Sequence, residues 1–538
     1  MIHPKAVKLF LKQQRDSHAW MKKLTNKQLD RALEEQGFKV ADPTKKPLRK
    51  QQKVCILLGL AYPRFSFWLD MGLGKTRIVL ELMNHYWRLG LLKRGLILCI
   101  SDEAVDEWEK QFRKWGVKIP HVGIGNSATV EKWQHVAELG AGLIIATYAG
   151  FNHMFASRQK TTKRTKRRKA KVKMSPDAKK IKAFAANLDA FVMDESVHLG
   201  NYKGLGFRIA KKLSAKCYSV HALAGVPFGL DPTLIWSQQF LVDRGETLGP
   251  TLGLFRGGFF EEKAGHFTMF EYKFKKEMEP VLHEILQHRS ITYSTEDAGI
   301  ELPPVTPIVR SIRLPPETMA LYEKALEQLK QAAIRHNRRQ MENSFLRMRQ
   351  LSSGFIGYAD DETGAKAQLI LPQNPKLDDF VNNIEDMPYD CKFVCFYEFT
   401  VSGRALVEAL AKRGITAGWV WSGTKDVKKV RRLFDDAPPK KFKGIIGNWR
   451  KIAESLNLQR ANYTHYFESP VGVIARRQSE KRTDRLGQER PGFRFDYCAT
   501  SADRRILQFH KSGADFFKAL FRDPDEALGE QPRRKLAA

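Results

Sequence analysis

Residues 65–76 read Phe65-Ser-Phe-Trp-Leu69-Asp70-Met-Gly-Leu-Gly-Lys-Thr76: an apolar run of strand length, a glycine-rich turn, and then the helical pattern Arg77 to Trp87. Strand, glycine turn and helix in that order make a phosphate-binding loop. Gly72 and Gly74, with Leu73 between them, let the backbone close around phosphate oxygens, and the loop N–H groups and helix N-terminus supply positive potential. Lys75 reaches the terminal phosphates and Thr76 ligates magnesium. The strict pattern has glycine five residues before Gly74, where this chain has Leu69, so a turn with chance glycines is the plain alternative.

A second element supports the loop. Phe191-Val-Met-Asp194-Glu195 is an apolar strand ending in two acids. On one lobe with the loop, Asp194 holds magnesium through its water shell, and Glu195 positions and deprotonates an attacking water. Taken alone, the same five residues describe an ordinary solvated strand end.

Outward from these motifs, short apolar runs alternate with helical patterns, the signature of a parallel sheet covered by helices. Phe65 to Leu69, Leu96 to Ile100, Leu143 to Ala146 and Ala190 to Met193 are the strand candidates of a first lobe, residues 46–245. Phe393 to Phe396, Gly418 to Trp421, Gly444 to Ile446 and Tyr463 to Phe467 are those of a second, residues 376–538. Between them, residues 246–375 read as a helical insertion or bridge, with Pro316 to Met348 apolar every three to four positions. Residues 1–45 read as a helical accessory segment, one helix starting near Thr25 or Asn26 and stopping at Gly37. The expected fold is α/β, two parallel-sheet lobes in tandem.

Composition narrows the partners. Hydrophobic residues at 43% and charged residues at 28% are near globular averages, so most of the chain folds. The net charge of +32 repels itself unless a polyanion shares the surface, which favours nucleic acid over a merely soluble basic protein. Residues 158–173 hold ten Lys or Arg and no acid, including Lys163, Arg164, Lys166, Arg167 and Arg168, and read as a solvated loop that adds nucleic-acid affinity. Discounting those ten still leaves a large positive excess, so the lobes are basic too. No stretch approaches the ~20 apolar residues of a spanning helix, and Met1 to Asp16 lacks a leader's apolar core, so an intracellular protein without membrane contact is expected. The six cysteines lack zinc-site spacing and sit in apolar runs; even Cys391 and Cys395 flank a buried strand pattern.

Across roughly residues 47–510 the order of elements resembles the Swi/Snf branch of superfamily-two helicases. Leu48-Arg-Lys-Gln-Gln52 looks like the opening segment whose glutamine reads adenine, and Asp70 to Thr76 matches that family's loop spelling closely. Ile100 to Trp115, with Trp108, looks like the next segment, and Ala146-Thr147-Tyr148 like one that touches the nucleic-acid backbone in relatives. Leu223-Ala-Gly-Val-Pro227 stands where the family has Leu-Thr-Gly-Thr-Pro, Lys392 to Thr400 resembles the opening strand of the second lobe, and Glu454 to Gln459 a later segment with Ser455 in place of glycine. Gln478-Ser-Glu-Lys-Arg482-Thr-Asp-Arg485-Leu-Gly-Gln488 follows the family's Gln-x-x-x-Arg-x-x-Arg-x-Gly-Gln. Arg482 and Arg485, three apart, are expected on one helix face, and by resemblance they point at the γ-phosphate, with Gln478 and Gln488 beside the nucleotide. A basic helix face that binds phosphate backbone or water is the plain alternative.

The resemblance implies two RecA-like lobes and an ATPase that uses ATP and Mg2+ to move along double-stranded DNA as a monomer. Three departures bear on coupling. Ser196-Val197 replaces the family's Ala-His, with His198 falling one residue late and expected at the surface, and Ala224 and Val226 replace two threonines. These substitutions keep a hydrolysis-poor nucleic-acid clamp open as a rival, and a strand-separating DNA or RNA helicase is a second. A phosphate-loop ATPase without nucleic acid is disfavoured by the charge.

Overall fold

The computed structural model describes residues 18–125, 140–160, 172–225, 232–264, 270–359, 366–424, 426–455, 458–485 and 487–512, with single positions out to 527. Lys163, Arg164, Lys166, Arg167, Arg168 and Val226 lie outside them. The chain forms two compact units that meet in sequence at 301/302, with residues 264–270 grouped with the second.

The first unit is built on the strands β1 (Arg64–Leu69), β2 (Arg94–Cys99), β3 (His121–Gly125), β4 (Gly142–Thr147), β7 (Ala190–Met193), β8 (Ser219–Ala224) and β11 (Ser290–Tyr293). They pair in the order β11-β1-β8-β7-β2-β4-β3, all parallel. Side chains alternate across the pleat: Phe65, Phe67, Leu69, Ile97 and Ile145 enter one core, Trp68, Leu96, Leu98 and Ile144 the other. A sheet buried on both faces explains why its strands read as continuous apolar runs. The loop helix Lys75–Arg88 packs through Ile78, Val79, Leu82 and Met83 on the first core. Helices Ala178–Ala185, Leu205–Leu213 and Thr233–Asp243 cover the other. Strands β5 (Ala156–Lys160) and β6 (Val172–Pro176) form an antiparallel hairpin, and β9 (Phe260–Ala264) and β10 (Phe270–Phe274) a second two-stranded sheet. Near the start, helix Asn26–Glu35 is closed by a Thr25/Gln28 capping box.

The second unit holds β12 (Val305–Ser311), β15 (Phe393–Tyr397), β16 (Ala417–Val420), β17 (Gly444–Asn448), β18 (Tyr463–Tyr466) and β19 (Gly492–Cys498). They form a second parallel sheet in the order β12-β19-β18-β15-β17-β16. Phe393, Cys395 and Tyr397 face one core, Val394 and Phe396 the other. The chain therefore has two RecA-like parallel-sheet lobes.

The stretch 246–375 supplies more than helices. Strand β11 is the outer neighbour of β1, and β12 closes one side of the second sheet, while helices Pro316–Ile334 and Arg338–Ser352 pack as a hairpin, and β13 (Phe355–Ala359) pairs with β14 (Lys366–Ile370). The edge strand β12 is half exposed, so the polar-interrupted Val305 to Ser311 lacks the apolar run of an interior strand. All six cysteines are buried and unbridged.

Candidate nucleotide site

In the order β11-β1-β8-β7-β2, the connection from β1 passes over two strands before rejoining the sheet at β2. Crevices at such switch points, at the carboxyl ends of the strands, are where open α/β sheets bind ligands. Three carboxyl ends carry the expected residues: β1 leads into Asp70–Thr76, β7 into Asp194-Glu195, and β8 into Gly225.

The loop's backbone needs its glycines. Gly72 and Gly74 sit at φ +86° and +88°, a left-handed conformation that side chains resist, and Gly74 is the N-cap of the loop helix. A Cβ on Gly74 would stand 2.1 Å from Gln52 Nε2, so the Gln52 amide lies directly against the loop. Gln52 is buried, its Oε1 accepting from the Arg49 N–H at 2.9 Å. Lys75 Nζ donates to the Leu69 carbonyl at 2.8 Å, and a Cβ on Gly225 would lie 3.9 Å from that Nζ, so β8 ends beside the lysine. Asp70 accepts from the N–H and hydroxyl of Thr295, both at 3.2 Å, so the segment after β11 anchors the start of the loop.

One turn beyond Lys75, the buried pair Arg77 and Glu81 ties the chain ahead of Gln52 to the loop helix. Arg77 donates to the carbonyls of Lys46 (2.6 Å) and Pro47 (3.2 Å) and stacks 3.9 Å over Trp115, and Glu81 accepts from the Ala41 N–H at 2.8 Å. These contacts join the segment ahead of Gln52 to the loop helix.

At the end of β7, Asp194 accepts from Trp108 Nε1 at 2.9 Å, and its backbone carbonyl accepts from the Tyr148 hydroxyl at 2.8 Å. Burial and then the Glu195 charge push the Asp194 carboxyl up to about 6, while Trp108 and Lys75 pull it back. Glu195 holds φ +51°, in the left-handed region, a conformation that costs a non-glycine residue about 1–3 kcal/mol and collects at functional sites. The oxygen ligands suit a hard cation: the Asp194 carboxylate, raised by burial and the Glu195 charge, and the Thr76 hydroxyl at the start of the loop helix. Among the described residues no cluster of three or more His, Cys, Asp and Glu forms a metal cage, and magnesium held through water and phosphate needs none.

The segment after the acid pair is tied to a neighbouring helix. Ser196, fully buried, donates through its hydroxyl to Gln238 Oε1 at 2.6 Å, and Gln238 Nε2 donates to Leu234 O at 3.1 Å. The residue after the acids is thereby bonded to the helix that follows β8, a link the alternation of Ser196 and Val197 alone does not reveal. His198 is exposed and stacks on Tyr148 at 5.3 Å.

Two expectations need correction. Thr147, expected at the nucleic-acid backbone, is fully buried, and its hydroxyl caps helix Tyr148–Phe155 by accepting from Gly150 N–H at 3.0 Å; the exposed position there is Ala149. Arg482 and Arg485 do not share a helix face. Helix Val473–Thr483 ends between them, so Arg482 lies in its last turn and Arg485 beyond it, lining a small cleft with Thr464, Thr483 and Gln488.

Within the second unit that helix is clamped by charge. Buried Arg476 makes a two-pronged pair with Asp496, bonds Glu480 at 2.8 Å and lies 3.5 Å over the Tyr466 ring, while Arg494 bridges Glu480 and Asp484. Gln478 is half-buried on the helix, and Gln488 spends its amide N–H on the Ala461 carbonyl at 2.7 Å.

Residues 8–220 match the family described as Type III restriction enzyme, res subunit. This match covers the loop, the acid pair and the start of β8, and stops before the second sheet. No curated protein matches the chain. Among solved structures it is similar to a Sulfolobus solfataricus SWI2/SNF2 ATPase core in complex with dsDNA, with 18% identity, 91% of this chain and 98% of that one covered, and a TM-score of 0.38. The Pyrococcus furiosus Hef helicase domain gives 15% identity, 86% and 98% coverage, and a TM-score of 0.46. No helix among the described residues is long and apolar enough to cross a membrane.

Proposed function

We propose that this chain is an ATP-driven motor that moves along nucleic acid, with double-stranded DNA as its track. The observation that carries the proposal is the convergence of Lys75, Asp194 and Glu195 at the carboxyl ends of β1 and β7, with a raised carboxyl on one acid and a left-handed backbone at the other. The loop N–H groups and Lys75 bind the triphosphate, and Gln52 lines the base side. Thr76 and Asp194 hold magnesium, which when bound neutralises phosphate charge. Glu195 orients the attacking water and accepts its proton. Trp108 and Tyr148 position Asp194.

In the second lobe Arg482 and Arg485 are assigned the developing charge on the γ-phosphate, with Gln478 and Gln488 supporting them. Each cycle of binding and hydrolysis then biases the two lobes between closed and open states while both hold the backbone, the loop at 158–173 adding affinity. The net charge of +32 and the dsDNA-bound archaeal relative support a duplex track.

The test is ATP turnover by wild type and Lys75→Ala, without nucleic acid and with single strand, duplex, fork or RNA. Turnover raised by duplex and abolished by the substitution is expected. Equal, slow hydrolysis by both proteins sinks the motor. Triplex displacement without fork unwinding separates a translocase from a strand-separating helicase.

A further inference from the structure

The motor's residues gather at the strand ends, yet a strongly charged surface lies elsewhere, on the helical layer over one face of the first sheet. Helices Ala178–Ala185 and Leu205–Leu213 pack on one another and bury Ile181, Ala185, Phe207, Ile209, Ala210 and Leu213 in a common core. Their outward residues are Lys179, Lys180 and Lys182 on one helix, Arg208, Lys211 and Lys212 on the other, and Lys216 just beyond. Neither helix contains an acid.

The neighbouring acids are already spent on backbone. Asp177 caps its helix by accepting from the N–H groups of Lys179 (3.1 Å) and Lys180 (3.2 Å), and Asp189 accepts from those of Lys93 (2.8 Å) and Arg94 (3.0 Å). None of Lys179, Lys180, Lys182, Arg208, Lys212 and Lys216 forms an ion pair with a described residue. This is not the general character of the lobe: helix Asp102–Trp115, on the same sheet, carries five acids. A fold that concentrates unneutralised cations on two adjacent helices is under self-repulsion that a polyanion relieves.

We propose that the outward faces of helices 178–185 and 205–213 bind the phosphate backbone of duplex DNA, as a surface separate from the strand-end edge. The inference rests on the nucleic-acid reading above. The chemistry favours phosphate over a protein partner, because the other exposed positions of helix 178–185 are the small Ala178 and Ala183 and neither helix exposes a large apolar side chain of the kind that anchors protein interfaces. A helix of eight residues is about 12 Å long, enough to face several phosphates of a duplex that carries one charge per ~1.7 Å of axis. The surface also has a route to the chemistry: these helices flank β7 in sequence, and the turn Ser196–Leu199 leads from Glu195 toward the second of them.

The experiment is equilibrium binding of full-length protein to a labelled duplex, without nucleotide, over a potassium chloride series. Wild type is compared with Lys180→Glu/Lys182→Glu/Arg208→Glu/Lys212→Glu, with its Gln counterpart, and with a charge-matched control on exposed residues of the second lobe, Lys412→Glu/Arg432→Glu/Lys440→Glu/Lys441→Glu. Each lost phosphate contact lowers the log–log salt slope by about 0.9. The first variant is expected to lose about 2–4 units of slope and at least about tenfold in affinity at moderate salt, the Gln variant to lose a similar slope, and the control less than about one unit. Melting curves show whether each variant is folded. A wild-type slope in both helix variants, or an equal loss in the control, overturns this surface alone; a wild type that does not bind duplex overturns the nucleic-acid reading with it.

Discussion

Replacing Asp194 by Asn removes a charge that the fold pays to bury. The folded carboxyl is raised to about 6, burial first and the Glu195 charge second, against an ordinary value near 3.8. Because the folded pKa lies above the unfolded one, the native state binds the extra proton, and stability falls as pH rises from about 4 through about 6 and is flat above. At 1.36 kcal/mol per pK unit, the wild-type penalty above pH 7 is on the order of 3 kcal/mol. Asn keeps an acceptor for Trp108 Nε1, now 2.9 Å from the carboxylate, but brings an amide N–H in need of a partner, a cost of about 1 kcal/mol. Asp194→Asn should therefore be more stable than wild type by about 2 kcal/mol at pH 8 and about equal to it near pH 4.5, where the wild-type penalty of about 1 kcal/mol offsets the amide's cost. Urea unfolding of both proteins, free of nucleotide and magnesium, across pH 4.5–8 measures it, since titrating groups remote from residue 194 cancel in the difference. A stability difference that does not change with pH refutes the burial argument. ATP turnover should be lost in the variant throughout, a stability gain bought with function.

Three further outcomes follow from single contacts. Gly74→Ala forces a Cβ to φ +88°, 2.1 Å from Gln52 Nε2, for about 1–2 kcal/mol of backbone strain plus about 1 kcal/mol if Gln52 gives up Arg49; calorimetry should show a lower Tm and titration weaker ATP binding, with Gln52→Ala relieving part of the loss in a double-mutant cycle. Ser196→Ala removes the hydroxyl that donates to the buried Gln238 Oε1 and should cost about 0.5–1.5 kcal/mol, while no measurable change in urea would discount that hydrogen bond. Arg476→Met leaves Asp496 buried without its cation and should cost about 3–5 kcal/mol, much of it recovered by adding Asp496→Asn; no recovery in denaturant titrations would count against the pair.

Local sequence determined the elements that depend on local physics. Continuous apolar runs such as Phe65 to Leu69 and Phe393 to Phe396 are strands buried on both faces, and the two glycines of Gly-Leu-Gly-Lys-Thr sit at positive φ, where glycine is at ease. Helix 26–35 was legible from its Thr25 cap for the same reason. The half-exposed edge strand β12, with Pro307 inside it, lacks that apolar signal, so its place in the second sheet was not legible.

Tertiary packing decided what those elements do to one another. Trp108 and Asp194 lie 86 residues apart in sequence and 2.9 Å apart in space only because β2 and β7 are neighbours. The same packing buries Thr147, joins Ser196 to Gln238 and raises the Asp194 carboxyl. Periodicity reports which face of a segment avoids water; hydrogen-bond partners, burial of charge and the end of helix 473–483 before Arg485 depend on distances between segments, which exist only once the sheets have formed.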